Sequence, residues 1–124
     1  METDNGGWVV IMKYYSEEHT EDLRLAFEEK VLQWPQVTTK KMFGCPCYQG
    51  DGKLFAFLVT NGIVITQLPQ TDRESLSRYH QTTFFQAGKK AIRNWIRLST
   101  GNKENLDGIM PFVRKSYEAA LRKA

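Results

Sequence analysis

The stretch from Lys40 to Leu68 constrains the fold more than any other part of this 124-residue chain. It consists of runs of β-branched and aromatic residues that are separated by two breaks, Gly50-Asp51-Gly52 and Asn61-Gly62. Such runs favour strands, and Asp-Gly and Asn-Gly pairs are typical of tight hairpin turns because these residues tolerate a positive φ. We therefore predict three short antiparallel strands, joined by two turns, that the rest of the chain covers.

The Asn61-Gly62 pair also predicts a register. If these residues form the centre of a type I′ turn, Val59 pairs with Val64 and Phe55 with Leu68. Side chains alternate between the faces of a strand, so the hairpin has two faces, and both are apolar. The first face is predicted to contain Leu54, Ala56, Leu58, Ile63 and Ile65, and the second to contain Phe55, Phe57, Val59, Val64 and Leu68.

The second apolar face predicts an interface. Helices on only one side of the sheet would leave this face exposed, and a large exposed apolar patch usually marks an interaction site. We expect a homodimer that forms through this face. The alternative is that the N-terminal segment, or a helix on each side, covers the face within one chain. The expected interface residues are Phe55, Phe57, Val59, Val64 and Leu68.

Three amphipathic helices are predicted around the central stretch. The first follows Ser16, a residue type favoured at the N-cap, and ends before Pro35. The second runs from about residue 71 to about His80, and the third begins near Asp107. Residues 1–15 form either an extra strand or an arm.

The composition predicts one domain over residues 1–124. No apolar run is long enough to span a membrane, and the acidic N-terminus is unlike a signal peptide. Only two cysteines are present, which is too few for a disulfide framework. We expect a cytoplasmic protein without membrane association.

A short motif within the central stretch resembles a known family. Lys41-Met42-Phe43-Gly44 is followed by Gly52-Lys53-Leu54-Phe55-Ala56, and this pattern resembles the N-terminal domain of the TfoX/Sxy competence regulators. The resemblance implies an α-β-β-β-α-β-β-α fold with an antiparallel sheet, which is related to YjbR-like proteins and to secretion chaperones. It is closest over residues 38–68. The motif residues are Lys41, Met42, Phe43, Gly44, Gly52, Lys53, Phe55 and Ala56.

The region after the second predicted helix contains two further candidate strands. Residues 82–86 suit a strand, and residues 91–98 fit either a strand or a helix. We choose the strand because the fold implied by the resemblance requires one there.

Cys45 and Cys47 are the first candidates for chemistry. Their spacing directs both side chains to the same face of a strand, where they could form a redox pair or contribute to a metal site. Structural zinc sites need four ligands, and His19 and His80 are isolated in the sequence. We therefore expect ordinary thiols, no metal or other cofactor, and no enzymatic activity.

The last third of the chain is basic. Residues 86–124 contain 9 Lys/Arg against 3 Asp/Glu, whereas residues 1–85 contain 8 against 11. Cations interleaved with an aromatic residue can bind single-stranded nucleic acid through phosphate contacts and stacking. Cations that only shield Trp95 are the alternative. The candidate residues are Lys89, Lys90, Arg93, Trp95 and Arg97.

These observations predict a non-catalytic interaction or regulatory module, dimeric and of the TfoX N-terminal type. The first alternative is a nucleic-acid-associated accessory that uses the basic third of the chain. The second alternative is a thiol redox or metal-binding protein that uses Cys45 and Cys47.

Overall fold

The computed structural model describes residues 14–100 and 105–124. Within these residues, three helices and six strands follow one another in the order α-β-β-β-β-α-β-β-α, and the strands form one antiparallel sheet. The predicted α+β class is confirmed. Most of the arm predicted for residues 1–15 lies outside the described residues. The elements are α1 Glu17–Val31, β1 Val37–Met42, β2 Cys45–Gly50, β3 Lys53–Val59, β4 Gly62–Ile65, α2 Gln70–Tyr79, β5 Thr82–Ala87, β6 Lys90–Ser99 and α3 Leu106–Lys123.

The central stretch forms four strands, one more than the sequence predicted. Strand β1 pairs with β2 so that Met42 lies opposite Cys45. The two residues between them, Phe43 and Gly44, both have positive φ, at 54° and 76°. This backbone is typical of a type I′ turn. The turn was missed because phenylalanine rarely adopts a left-handed backbone.

The β3–β4 hairpin differs from the predicted register by two residues. Val59 pairs with Gly62 and Phe57 with Val64. The loop therefore consists of Thr60 and Asn61, and only Asn61 of the pair has a positive φ, at 54°. Gly62 is instead the first strand residue, where a Cβ would lie 2.6 Å from the carbonyl oxygen of Leu98.

A β-bulge interrupts the alternation of side chains in β3. Tyr48 pairs with Ala56, whereas the next residue of β2, Gln49, pairs with Leu54. Phe55 is the extra residue, and it packs in the same core as Ala56. Leu54 packs against the residues of the opposite face. The prediction that Phe55 shares a face with Phe57 is therefore wrong, because a bulge adds a residue that strict period two does not allow for.

The helices cover one face of the sheet. Phe27 of α1 and Tyr117 of α3 are buried there together with Phe55, and Trp34 packs against Tyr117 with ring centroids 4.9 Å apart. The Tyr117 hydroxyl donates a hydrogen bond of 2.7 Å to the carbonyl oxygen of Pro35. This core, which we call the helix-face core, also contains Leu68.

The other face contains a second apolar cluster, which we call the back-face cluster. The Phe57 ring meets Phe85 and Trp95 edge to face, with centroids 5.1 and 5.4 Å away. Tyr14 packs on the same side, 5.4 Å from Phe85, and its carbonyl accepts a hydrogen bond from the amide of Thr60. The buried members of the cluster are Cys45, Cys47, Phe57, Val59, Val64 and Phe85.

The strand order β1-β2-β3-β4-β6-β5 places β1 and β5 at the edges of the described sheet. The strand predicted for residues 91–98 is confirmed as part of β6. Its pairing with β5 jumps from Phe84↔Ile96 to Phe85↔Ile92. Residues 93–95 therefore bulge out of the ladder.

Candidate functional site

The five predicted interface residues do not form an exposed patch. Phe57, Val59 and Val64 lie in the back-face cluster, whereas Phe55 and Leu68 lie in the helix-face core. Each is at most 2% exposed in the single chain. Leu68 follows the end of β4, so the alternation of that strand does not determine its direction. These five residues are therefore not available as an interface on the surface of the single chain.

Cys45 and Cys47 point to the same face, as predicted, and both are buried and unpaired. Burial raises the pKa of Cys45 to about 12 and that of Cys47 to about 11. A thiol must ionise to act as a nucleophile or a metal ligand, so these shifts oppose both roles. Within the described ranges, no three His, Cys, Asp or Glu side chains are grouped so that they could hold a metal ion.

The residues of the TfoX-like motif serve mainly as turns and core. Gly44 and Gly52 have positive φ in the first two hairpin turns. Ala56 is buried in the helix-face core, and Met42 packs against the back-face cluster. Lys41 and Lys53 are exposed at strand ends. The motif therefore describes two hairpins and brings no catalytic set together.

A polar network centred on Arg24 lines a cleft of about 600 Å³ between α1 and the β1–β2 hairpin. The Arg24 guanidinium donates to both carboxylate oxygens of Glu17 and, at 3.0 Å, to Glu28. The hydroxyl of Tyr48 donates to the second oxygen of Glu28 at 2.7 Å, and that of Tyr15 donates to Glu17.

Each carboxylate of this network accepts hydrogen bonds from Arg24 and from one tyrosine hydroxyl. Hydrogen bonds from Arg24, and then from Tyr15, hold the pKa of Glu17 below its usual value. Burial raises the pKa of Tyr48, and the hydrogen bond to Glu28 raises it further. The arrangement ties the start of α1 to β2.

The predicted nucleic-acid residues lie along β6 and the turn before it. Lys89, Lys90 and Arg93 are exposed, and Arg97 is half-buried at the β4–β6 ladder. The Trp95 ring packs against Phe57 and Phe85 in the back-face cluster. Trp95 therefore lies on the face opposite Ile96, as alternation predicts, and part of its ring belongs to the core. The bulge at residues 93–95 breaks the alternation at Ile92, which packs against the back-face cluster.

An open groove lies beside the β5 edge, and polar side chains of α2 form much of its lining. Phe84 lies opposite Ile96 and so on the side of the sheet that carries the helices. The helices do not bury it, and it is 47% exposed. Together with Ile96 and Thr82 it lines a groove of about 720 Å³ between β5 and α2. The hydroxyls of Ser77 and Thr82 are 2.9 Å apart and join the end of α2 to the start of β5.

The two edges of the described sheet differ in charge. Strand β1 contains Lys40 and Lys41, whereas β5, with the sequence TTFFQA, contains no charged residue. Charged side chains protect sheet edges against pairing with another strand. The β5 edge lacks this protection and adds a half-exposed phenylalanine.

A third cleft, of about 500 Å³, is lined by basic side chains from two helices. Arg73 of α2 and Arg122 and Lys123 of α3 line it together with Asn94 and Trp95 of the β6 bulge. Sequence reasoning identified Trp95 and the basic third of the chain. It missed Arg73, since no local pattern indicates that α2 and the end of α3 meet.

The comparisons with known proteins identify no relative. No family model, no curated protein and no solved structure matches the chain. Among the described residues, no helix has the length and apolar character needed to cross a lipid bilayer.

Proposed function

We propose that this protein is a non-catalytic interaction module that self-associates as a homodimer through the β5 edge. The observation that carries the proposal is the uncharged edge strand with Phe84 half-exposed beside an open groove. The TfoX-like motif agrees with such a role, and the two free thiols suit a reducing compartment such as the cytoplasm.

A second copy of the chain is the occupant that the edge fits best. Directly opposite residues of an antiparallel pair point to the same face of the sheet. A two-fold axis perpendicular to the sheet can therefore place Phe84 opposite Phe84 of the second copy, with Thr82 opposite Gln86. This pairing contains no like charges, whereas pairing two β1 strands would bring lysines together.

The pairing also covers apolar surface. In this register the two Phe84 rings form a cross-strand aromatic pair on the helix side, where each is now half-exposed. The backbone groups on the outer side of β5 gain partners, which is the source of affinity in strand addition.

The test is the molar mass in solution, measured by light scattering over a dilution series of the purified protein. The chain has a mass of 14.4 kDa, and we expect twice this value at the higher concentrations. Phe84→Lys should give the monomer mass throughout, because two lysines would face each other at the pairing axis. Leu25→Lys is the matched control, since Leu25 is 52% exposed on α1 and lies outside the groove.

The outcomes separate two failures. A wild-type protein that is monomeric at every concentration refutes self-association. A dimer that persists in Phe84→Lys, or that is lost equally in Leu25→Lys, refutes the β5 edge as its surface. Circular dichroism of each variant shows whether the fold is retained.

A further inference from the structure

The cleft between α2, α3 and the β6 bulge, which we call the basic cleft, is lined among the described residues by three cations and by no carboxylate. Arg73 belongs to the first turns of α2, and Arg122 and Lys123 belong to the last turn of α3. Residues from distant parts of the chain therefore converge on one space. The side chains of Gln67 and Asn94 add amide groups to its wall.

No carboxylate among the described residues neutralises the cations of the basic cleft. Nη1 of Arg73 donates to the carbonyl oxygen of Leu68 at 2.8 Å, and Nζ of Lys123 donates to Oε1 of Gln67 at 2.9 Å. Both partners are neutral. Arg122 is exposed and forms no ion pair with any of the described residues.

Several other cations of the molecule form ion pairs, unlike the three cations of the basic cleft. Arg24 pairs with Glu17, and Lys30 with Asp107. Lys115 of α3 pairs with Asp72, the residue that precedes Arg73 in α2. Of the two acidic residues beside Arg73, Asp72 is thus paired, and Glu74 lines the neighbouring groove at the β5 edge and not the basic cleft.

We propose that the basic cleft binds the phosphate group of a phosphorylated ligand. Arginine forms charge-assisted hydrogen bonds with phosphate oxygens, and several cations around one anion match the charge of a phosphate better than that of a single carboxylate. The exposed cation Arg93 precedes Asn94 in the bulge, so positive charge continues from the cleft along β6 towards Lys90. A small phosphate ester and the backbone of a single-stranded nucleic acid supply the same chemistry.

The proposal is tested by titrating the isotope-labelled protein and following its nitrogen–proton NMR spectrum. The probes are inorganic phosphate, a nucleoside monophosphate and a short single-stranded oligonucleotide. We expect the side-chain amides of Gln67 and Asn94 and the indole of Trp95 to shift with at least one of them. The affinity should fall as the salt concentration rises.

Two variants that lose the same charge show whether the phosphate binds in the cleft itself. Arg122→Gln should weaken binding about tenfold, the effect of losing one charge-assisted contact. Arg78→Gln removes the same charge from an exposed position of α2 outside the cleft and should leave the affinity within about twofold. Both residues are exposed, so neither change should disturb the core.

Each result has a definite meaning. A response to the oligonucleotide alone identifies a nucleic-acid backbone as the source of the phosphate, and a response to the monophosphate identifies a small ester. The proposal is overturned if none of the three probes shifts the cleft resonances. It is also overturned if Arg122→Gln and Arg78→Gln weaken binding equally, because net charge would then explain the effect.

Discussion

Gly62 occupies a position where any side chain would collide with the neighbouring strand. A Cβ there would lie 2.6 Å from the backbone carbonyl oxygen of Leu98 and 3.2 Å from a methyl group of Val59. The oxygen belongs to a strand in the middle of the sheet, so it cannot move without disturbing the β4–β6 ladder. Gly108 is different, since a Cβ there would be 3.7 Å from its nearest neighbour, the His80 ring.

The two glycines therefore predict opposite effects of the same substitution. Gly62→Ala should lower the free energy of unfolding by about 3 kcal/mol, because strands β4 and β6 must separate to admit the methyl group. Gly108→Ala should raise it by about 0.5 to 1 kcal/mol, because alanine is the better helix former inside α3. Urea denaturation of both variants measures the difference, and equal effects at the two positions would contradict this account.

Single residues also limited what the sequence could predict. The turn at Asp51-Gly52 follows from residue type, since both residues tolerate the positive φ that the structure gives them. Phe43 adopts a similar backbone, yet nothing in its chemistry indicates this. At Asn61-Gly62 the pair marks the correct hairpin, but the glycine is required by its contact with Leu98 and not by the turn.

At the scale of elements, α1 is fixed to the sheet by the Arg24 network as well as by its apolar face. The hydroxyl of Tyr48 on β2 donates to Glu28, and Arg24 joins Glu28 to Glu17 at the start of the helix. Two carboxylates thus accept the hydrogen bonds that join the helix to β2 and to its own first turn. Ser16 occupies the predicted N-cap position of this helix, but its side chain forms no capping hydrogen bond.

The lowered pKa of Glu17 predicts how this attachment depends on pH. An acid whose pKa is lower in the folded state adds stability above its ordinary value of 4.5, and this contribution disappears as the pH falls through the lowered value. Glu17 is 48% exposed, so Glu17→Gln should cost only about 0.5 kcal/mol at neutral pH. Below the lowered pKa the variant and the wild type should be equally stable.

Glu18→Gln is the control for this prediction, since Glu18 lies in the same first turn and shares the same interaction with the helix dipole. Thermal unfolding of both variants between acidic and neutral pH measures the effect. A constant difference between Glu17→Gln and the wild type at all pH values would contradict the proposed role of the carboxylate.

Bulges explain most of what element-level patterns missed. The α+β class and the three helices follow from turns and periodicity, whereas the extra strand β1 was not predicted and the strand assignment of β6 came from the family resemblance. The two faces of β3 do not follow from periodicity, because one extra residue moves Phe55 into the helix-face core. In β6 the bulge at residues 93–95 similarly places Ile92 in the back-face cluster, although strict alternation puts it on the same face as Ile96.

At the scale of the whole molecule, the strand order predicts an uneven rate of hydrogen exchange. Strands β3 and β4 are buried on both faces and paired on both sides, whereas β1 and β5 lie at the edges. Amides of β3 and β4 should exchange slowest because they open only with most of the sheet. Amides of β5 should also become more protected at higher protein concentration, while those of β1 should not.

Mass spectrometry of peptides after deuterium labelling, at two protein concentrations, measures this pattern. Strand β1 serves as the internal control, since it is an edge of the same sheet with lysines that oppose pairing. Equal changes at both edges would contradict a dimer that forms at β5.

Nearly all ladders of this sheet join strands that are consecutive in the chain, and most of those strands are linked by very short turns. The β4–β6 ladder is the exception, because it pairs Ile65 with Ile96 across the whole of α2 and β5. Closing that long loop loses far more chain entropy than closing a hairpin. We therefore expect the four-stranded meander and the C-terminal hairpin to form early and separately, and their pairing along four residue pairs to be the late event in folding.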